Sequence, residues 1–154
     1  MSVSASFKLP SHVYRTDKLE EASKEAQKEG KALAFVYTDE TSTWGPCNAS
    51  SLEAFKQLKK YAVVVYVDTE KKSSSEILSP VVLGSLKAAS MGKLIPKAVV
   101  TSTDQQSYMA SIAYKAMSER RAFTAVNKQV KEALAGKVIE RPKDVNIVWT
   151  LAAN

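Results

Sequence analysis

The chain has 154 residues, of which 45% are hydrophobic, and this length and composition are typical of one globular domain whose core needs no cross-links. Its single cysteine, Cys47, excludes an intramolecular disulfide, and its single histidine, His12, excludes a Cys/His metal cluster. The formal net charge is +6 at pH 7, but the basic residues are spread along the chain without a row of aromatic residues, so we predict no nucleic-acid surface.

The first predicted helix begins near Asp17 and ends at Gly30. Asp17 stands three residues before Glu20, which is the spacing of a reciprocal N-terminal cap, and glycine is a typical helix stop. Residues 32–38 (ALAFVYT) are almost continuously apolar and rich in β-forming side chains. They predict a parallel strand that is covered on both faces of its sheet.

A loop, a second helix and a second buried strand follow. Residues 39–46 are rich in Ser, Thr, Gly and Pro, and residues 47–60 place apolar side chains on one face of a helix. That face consists of Leu52, Phe55 and Leu58. Residues 61–68 (YAVVVYVD) repeat the buried-strand pattern, so the strand, helix and strand predict a right-handed βαβ unit with parallel strands.

The next predicted helix follows a polar connector at 70–76. Ser79 and Pro80 are typical of a helix cap and a first-turn residue, and Gly92 ends the segment. Its apolar face consists of Val81, Val82, Leu86 and Ala89.

A β-hairpin and a last helix complete the predicted order. Residues 97–103 and 107–114 are β-prone and flank the polar turn Asp104-Gln105-Gln106, which predicts an antiparallel pair. Ser118 is the predicted cap of a helix that runs to Gly136. The predicted order of elements is α-β-α-β-α-β-β-α.

A strand-like tail follows the last helix. Its apolar residues alternate, which is typical of a half-buried strand: Val145, Ile147, Trp149 and Leu151. We expect this tail to pack on the domain, and an exposed edge that awaits a partner is the alternative. The predicted organisation is an N-terminal segment at 1–14, a domain at 15–136 and a C-terminal extension at 137–154.

Two short motifs give this order of elements a resemblance to thioredoxin. The run Thr43-Trp44-Gly45-Pro46-Cys47 resembles the thioredoxin active-site sequence Trp-Cys-Gly-Pro-Cys and lies between the first buried strand and the next helix. Leu94-Ile95-Pro96 directly precedes a predicted strand and resembles the Ile-Pro of the family, whose proline is cis and lies against the active site. The resemblance covers residues 15–136 and implies an α/β, thioredoxin-like fold with a central mixed sheet flanked by helices.

The active-site run departs from the family at the residue that performs the chemistry. If residues 45–47 are aligned with Gly-Pro-Cys, Trp44 takes the place of the nucleophilic first cysteine; if the tryptophans are aligned, that cysteine is deleted. Counting back from Cys47, the buried acid that assists proton transfer in the family corresponds to Thr38, and Asp39 is one position away. A dithiol–disulfide cycle needs an attacking thiolate and a resolving thiol, so this chain cannot complete the cycle alone.

Three residues of these motifs have more than one interpretation. Cys47 is an unreactive buried thiol, a monothiol activated by the N-terminus of its helix with glutathione as the external resolving thiol, or a site of intermolecular or other covalent modification. Trp44 either packs over the loop or anchors a bound peptide. Pro96 is either a turn proline or, as the resemblance implies, a cis-proline beside which the backbone binds an extended peptide. The acids and hydroxyls of residues 39–43 are expected to solvate and cap their loop.

The sequence thus predicts a thioredoxin-like binding or chaperone-type module that lacks dithiol redox activity. Its predicted peptide-binding residues are Trp44, Gly45, Pro46, Ile95 and Pro96. The alternative is an atypical monothiol disulfide reductase or isomerase with Cys47 as its catalytic residue. A third hypothesis is an assembly protein that uses the strand at 145–151. We expect no metal or other cofactor.

The sequence predicts no association with membranes. It contains no apolar run long enough to span a bilayer, and residues 1–9 lack the hydrophobic core of a signal peptide. We therefore expect a soluble protein. A leader trimmed ahead of the polar start would leave the same sequence, so cytoplasm, cell envelope and secretion stay open, as does the oligomeric state.

Overall fold

A computed structural model of the chain describes residues 7–88 and 91–139. The predicted strand at 145–151 and Ala89 of the third predicted helix lie outside these residues. In chain order the elements are β1 (Tyr14–Arg15), a 3₁₀ turn (Thr16–Lys18), α1 (Leu19–Glu29), β2 (Ala32–Thr38), α2 (Gly45–Leu58), β3 (Ala62–Asp68), α3 (Lys72–Glu76), α4 (Pro80–Leu86), β4 (Lys97–Thr101), β5 (Tyr108–Ile112), α5 (Tyr114–Met117) and α6 (Arg120–Leu134).

The strands form one mixed sheet in the order β1-β3-β2-β4-β5. β1, β3 and β2 are parallel, whereas β4 is antiparallel to both β2 and β5. The predicted parallel β2–β3 pair and the predicted antiparallel β4–β5 hairpin are both confirmed. The protein is therefore an α/β domain with a five-stranded mixed sheet flanked by helices, and this architecture is compatible with a thioredoxin-like fold.

Helices cover both faces of the sheet, which explains the continuous apolar character of its central strands. All of β2 except Tyr37 is buried, as are residues 62–67 of β3. α2 and α6 share one face, where Asn127 Nδ2 donates to the Gln57 carbonyl at 3.0 Å. α1 and α4 lie on the other face and both bond the β4–β5 turn, through Ser23 and Ser79.

The residues that precede β1 contribute to the same core. Phe7 and Val13 are buried, and the Phe7 ring lies 5.8 Å from the ring of Phe55 on α2. His12 Nε2 lies 3.0 Å from the carbonyl oxygen of Phe55. β1 was not predicted, because a strand of two residues is too short to show an alternation of apolar and polar side chains.

Two predicted helix caps are wrong. Asp17 lies in the 3₁₀ turn, and the residue that caps α1 is Lys18, whose side chain makes no capping hydrogen bond. Ser118 ends α5, and α6 is preceded by Glu119, which also makes no side-chain cap. Each short turn lies directly before a longer helix and shifts its start by one or two residues.

The cap at Ser79 is confirmed, because Val82 N donates to Ser79 Oγ at 3.2 Å. The predicted polar connector at 70–76 is wrong over most of its length, since residues 72–76 form α3. No helix in residues 7–88 and 91–139 combines the length and the apolar character needed to cross a lipid bilayer.

Candidate functional site

The two motifs meet where β2 ends and β4 begins. In the antiparallel ladder Tyr37 pairs with Lys97. Continuing this register by one position places Pro96 opposite Thr38, the last residue of β2. Side chains alternate along a strand, so Thr38 and Pro96 belong to the face of the sheet that α2 covers.

Tyr114 brings Trp44 to the same place. Ala98 at the start of β4 pairs with Ile112 at the end of β5, and Tyr114 begins α5 two residues later, at the same end of the sheet. The rings of Trp44 and Tyr114 are in contact, with centroids 5.2 Å apart and planes inclined by 45°. Trp44 is nevertheless 43% exposed, so one side packs over the loop while the rest faces solvent. The role of Tyr114 could not be predicted from the sequence, because only the folded chain brings it into contact with Trp44.

The loop before Trp44 is held by its own polar groups. Asp39 Oδ1 accepts hydrogen bonds from Thr41 N at 2.8 Å and from Thr41 Oγ1 at 2.6 Å. Trp44 N donates to Ser42 Oγ, and Asn48 Nδ2 on α2 donates to the Ser42 carbonyl. These acids and hydroxyls therefore cap the loop, as predicted.

A second set of contacts fixes the same loop to the sheet. Glu40 N donates to Tyr66 Oη at 2.9 Å, and Arg15 donates to both carboxylate oxygens of Glu40, at 3.2 and 2.9 Å. The Arg15 guanidinium also lies over the Tyr66 ring. Burial raises the pKa of Tyr66, so the phenol keeps its proton and stays a neutral hydrogen-bonding partner at neutral pH.

α2 begins at this fixed loop. Gly45 and Pro46 are its first two residues and both are exposed. Proline is tolerated in a first turn because the amide that it lacks would have no partner within the helix. The Trp44 carbonyl accepts from the amides of Cys47 and Asn48, at 3.1 and 3.3 Å.

Cys47 is fully buried and belongs to a chain of hydroxyl groups. Its Sγ lies 3.4 Å from Thr38 Oγ1, which lies 2.7 Å from Ser51 Oγ. The Ser51 hydroxyl donates to the Cys47 carbonyl at 2.7 Å. Thr38 is thus in contact with the thiol, at the position where the resemblance places a buried acid.

Proton counting sets the direction of each bond in this chain. A hydroxyl has one proton, and that of Ser51 is used on the Cys47 carbonyl. Thr38 must therefore donate to Ser51, and the thiol of Cys47 must donate to Thr38. In this arrangement the sulfur of the protonated thiol donates a hydrogen bond to Thr38 and receives none from these hydroxyls. Ser51 was missed at the level of sequence, although its spacing of four residues from Cys47 places both on one helix face.

The segment before β4 is anchored by a buried lysine. Lys97 Nζ donates to the carbonyls of Leu86 and Gly92, at 3.1 and 2.8 Å, and burial lowers its pKa. The peptide bond between Ile95 and Pro96 is cis. Leu94 is exposed, Ile95 is half-buried and Pro96 is buried, so the chain passes from the surface into the core over these three residues.

The chain shows no similarity to a protein-family model, a curated protein or a solved structure. Within residues 7–88 and 91–139 no three His, Cys, Asp or Glu side chains are grouped so that they could hold a metal ion. The site therefore consists of an exposed aromatic ring, a segment with a cis-proline and a buried thiol.

Proposed function

We propose that the protein is a thioredoxin-like module that binds an extended polypeptide and has no dithiol redox activity. The observation that carries this proposal is the position of exposed Trp44, which packs on Tyr114 at the end of the sheet where Pro96 also lies, while Cys47 is out of reach of solvent. A tryptophan that is held on one side and open on the other offers a large apolar contact with little conformational entropy left to lose.

The backbone before Pro96 supplies the second half of such a site. The amides and carbonyls of Leu94 and Ile95 form no hydrogen bond within the described part of the chain. Leu94 is also 50% exposed. An extended peptide can bond free backbone groups of this kind as an added strand does, while its side chains contact Trp44 and Leu94.

The surroundings of Cys47 support a role without redox chemistry. A nucleophilic thiol must be accessible and at least partly ionised. Cys47 is fully buried, so its thiol lacks this accessibility in the folded protein.

Binding can be tested with an unfolded polypeptide whose own cysteines have been carboxymethylated and which carries a fluorescent label. We expect its anisotropy to rise with added protein. Because central aromatic anchors contribute about 2 kcal/mol or more, Trp44→Ala should weaken binding by at least about tenfold. Leu94→Ala should also weaken binding, because it removes the second exposed apolar side chain of the surface, and circular dichroism checks that both variants fold.

Leu52→Ala is the matched control. Leu52 is a 40% exposed apolar residue of α2, the helix that follows Trp44, and it lies outside the proposed surface. The chain has two tryptophans, so Trp149→Phe leaves Trp44 as the only one and its emission reports contact directly. Wild-type affinity in both Trp44→Ala and Leu94→Ala would contradict the proposal, as would the absence of binding by the wild type.

The monothiol alternative has one observation in its favour, which is the place of Cys47 in the first turn of α2. It predicts that Cys47→Ser abolishes activity in a glutathione-coupled disulfide assay. It also predicts rapid alkylation of native Cys47, whereas the binding module predicts protection until the protein unfolds. Equal activity of the wild type and Cys47→Ser would exclude the enzyme.

A further inference from the structure

Charge is divided unevenly across the end of the sheet that carries Trp44 and Pro96. Residues 87–97 and 113–121, which flank Pro96 and Tyr114, hold six basic residues and only one acid, Glu119. The basic residues are Lys87, Lys93, Lys97, Lys115, Arg120 and Arg121. The other acids of this end lie in or next to the connections that follow β1, β2 and β3: Asp17, Asp39, Glu40, Asp68 and Glu70. These connections also hold basic residues, namely Arg15, Lys18, Lys71 and Lys72, so their charges are mixed.

Two of these basic residues lie close in sequence to residues of the peptide surface. Lys93 lies three residues before Pro96, and Lys115 follows Tyr114. Both are exposed, and neither forms an ion pair or a side-chain hydrogen bond with another described residue. Lys97 cannot serve a ligand, because it is buried and donates to backbone carbonyls.

The nearest loop acids cannot neutralise them without losing other contacts. Asp39 accepts two hydrogen bonds from Thr41, and Glu40 is paired through both of its oxygens with Arg15. Glu119, four residues after Lys115, forms no ion pair with it, so neither Lys93 nor Lys115 has a carboxylate partner within the described residues.

We infer that this surface selects an extended peptide in which acidic side chains flank an apolar one. The inference rests on the proposed peptide binding and adds the charge of the partner. The apolar side chain would lie against Trp44 and Leu94, and the flanking carboxylates would pair with Lys93 and Lys115. Exposed ion pairs add little affinity each, but they favour one partner over another and speed the encounter.

A single-stranded nucleic acid is also negatively charged, but the site fits it less well. Such strands are bound by successive aromatic rings on which neighbouring bases stack. Trp44 is the only exposed aromatic residue among residues 7–88 and 91–139. One ring and a free backbone segment fit one apolar side chain of a peptide.

The test compares two labelled peptides that differ only in charge: a central leucine flanked on each side by two glutamates, and the same peptide with glutamines. We expect the glutamate peptide to bind about three- to tenfold more tightly, as two exposed ion pairs allow, and to lose this advantage between about 50 mM and about 300 mM salt. Lys93→Gln/Lys115→Gln should remove the preference without abolishing binding of the glutamine peptide.

The control is Lys28→Gln/Lys56→Gln, which lowers the net charge by the same amount. Both are exposed lysines near the C-terminal ends of α1 and α2, whereas Trp44 lies at the N-terminal end of α2. It should keep the preference. Equal affinity of the two peptides in the wild type, with Trp44→Ala still weakening both, would overturn the charge selection and leave the proposed binding intact. If neither peptide binds, both proposals fail. If an oligothymidylate displaces the glutamate peptide and binds more tightly, the partner is a nucleic acid and the inference is wrong.

Discussion

Ser51 determines which way the hydrogen bonds around Cys47 run. Ser51→Ala removes the acceptor of Thr38 and the donor to the Cys47 carbonyl. We expect the free energy of unfolding to fall by about 1–2 kcal/mol, since buried hydroxyl partners are lost. A buried thiol reacts only when the structure opens. The loss of stability raises the equilibrium constant for opening, and the alkylation rate of native Cys47 should rise in the same proportion.

Ser50→Ala is the matched control for this prediction. Ser50 is the neighbouring helix residue, is half-buried, and makes no side-chain hydrogen bond within the described residues. Urea unfolding and mass spectrometry of alkylated protein measure the two effects. If Ser51→Ala matches the wild type in its free energy of unfolding and in the alkylation rate of Cys47, the hydroxyl chain does not stabilise the site.

Lys97 gives the protein a pH-dependent term of known sign. Burial lowers its pKa in the folded state from the ordinary value of 10.5, so the folded protein releases this proton at a lower pH than the unfolded chain. Between the two values the unfolded chain binds more protons, and the free energy of unfolding rises with pH. The penalty of holding a buried charge is fully present below the lowered pKa.

Lys97→Met should remove this rise. The wild-type free energy of unfolding minus that of the variant should increase as the pH rises from neutral towards the ordinary lysine value of 10.5 in urea titrations. Tyr14 and Tyr66, whose pKa values are raised, act in the opposite direction above pH 10, but they are present in both proteins and cancel in the difference. Lys93→Met changes an exposed lysine and should leave the slope as in the wild type. A constant difference for Lys97→Met would show that the ammonium is not desolvated.

At the scale of elements, α2 shows how a sequence pattern can be right about a helix and wrong about one of its faces. The sequence predicts Leu52, Phe55 and Leu58 on one apolar stripe, but Leu52 is 40% exposed. A spacing of three residues falls short of a full turn by about 60° per step, so the stripe drifts around the helix. Leu52 therefore lies at the rim, whereas Phe55 and Leu58 are buried.

This difference predicts two very different mutational costs on one helix. Phe55 is fully buried and its ring contacts those of Phe7 and Tyr66, so Phe55→Ala should lower the free energy of unfolding by about 3–5 kcal/mol. Leu52→Ala should cost less than about 1 kcal/mol. Urea unfolding of both variants measures the costs. A loss below about 1 kcal/mol for Phe55→Ala would mean that the contact between the N-terminal segment and α2 is not part of the stable core.

At the scale of the whole molecule, the sequence predicts the centre of the sheet better than its margins. The continuous apolar runs at 32–38 and 61–68 correctly indicate parallel strands covered on both faces. β1 is too short for any period, and α5 is a single turn between two longer elements. Their placement depends on contacts between distant residues, which local patterns do not contain.

The candidate site divides in the same way. Its sequence runs, Trp44–Cys47 and Ile95–Pro96, are recognisable because they are local. Both runs reach one end of the sheet because β4 pairs with β2 and β5, and the position of Thr38 beside Cys47 depends on how α2 packs on β2. Only the assembled sheet brings these residues together.

The sheet order predicts how unevenly the protein opens. β2 lies between β3 and β4 and is almost fully buried, whereas β1 has two residues and pairs with β3 alone. Amides of central strands exchange with solvent only when the whole domain unfolds, and those of short edge elements exchange through local opening. We expect the amides of Tyr14 and Arg15 to exchange at least about a hundredfold faster than those of β2.

β5 provides an internal comparison in the same hydrogen-exchange experiment. It is also an edge strand, but it is longer than β1, and Gln129 Nε2 on α6 donates to its Met109 carbonyl at 2.7 Å. Its exchange should therefore be slower than that of β1 and faster than that of β2. If β1 exchanges as slowly as β2, the N-terminal segment unfolds only with the whole domain. The buried contacts of Phe7 and Val13 would then stabilise this segment more than the pairing of Tyr14 and Arg15 with β3 does.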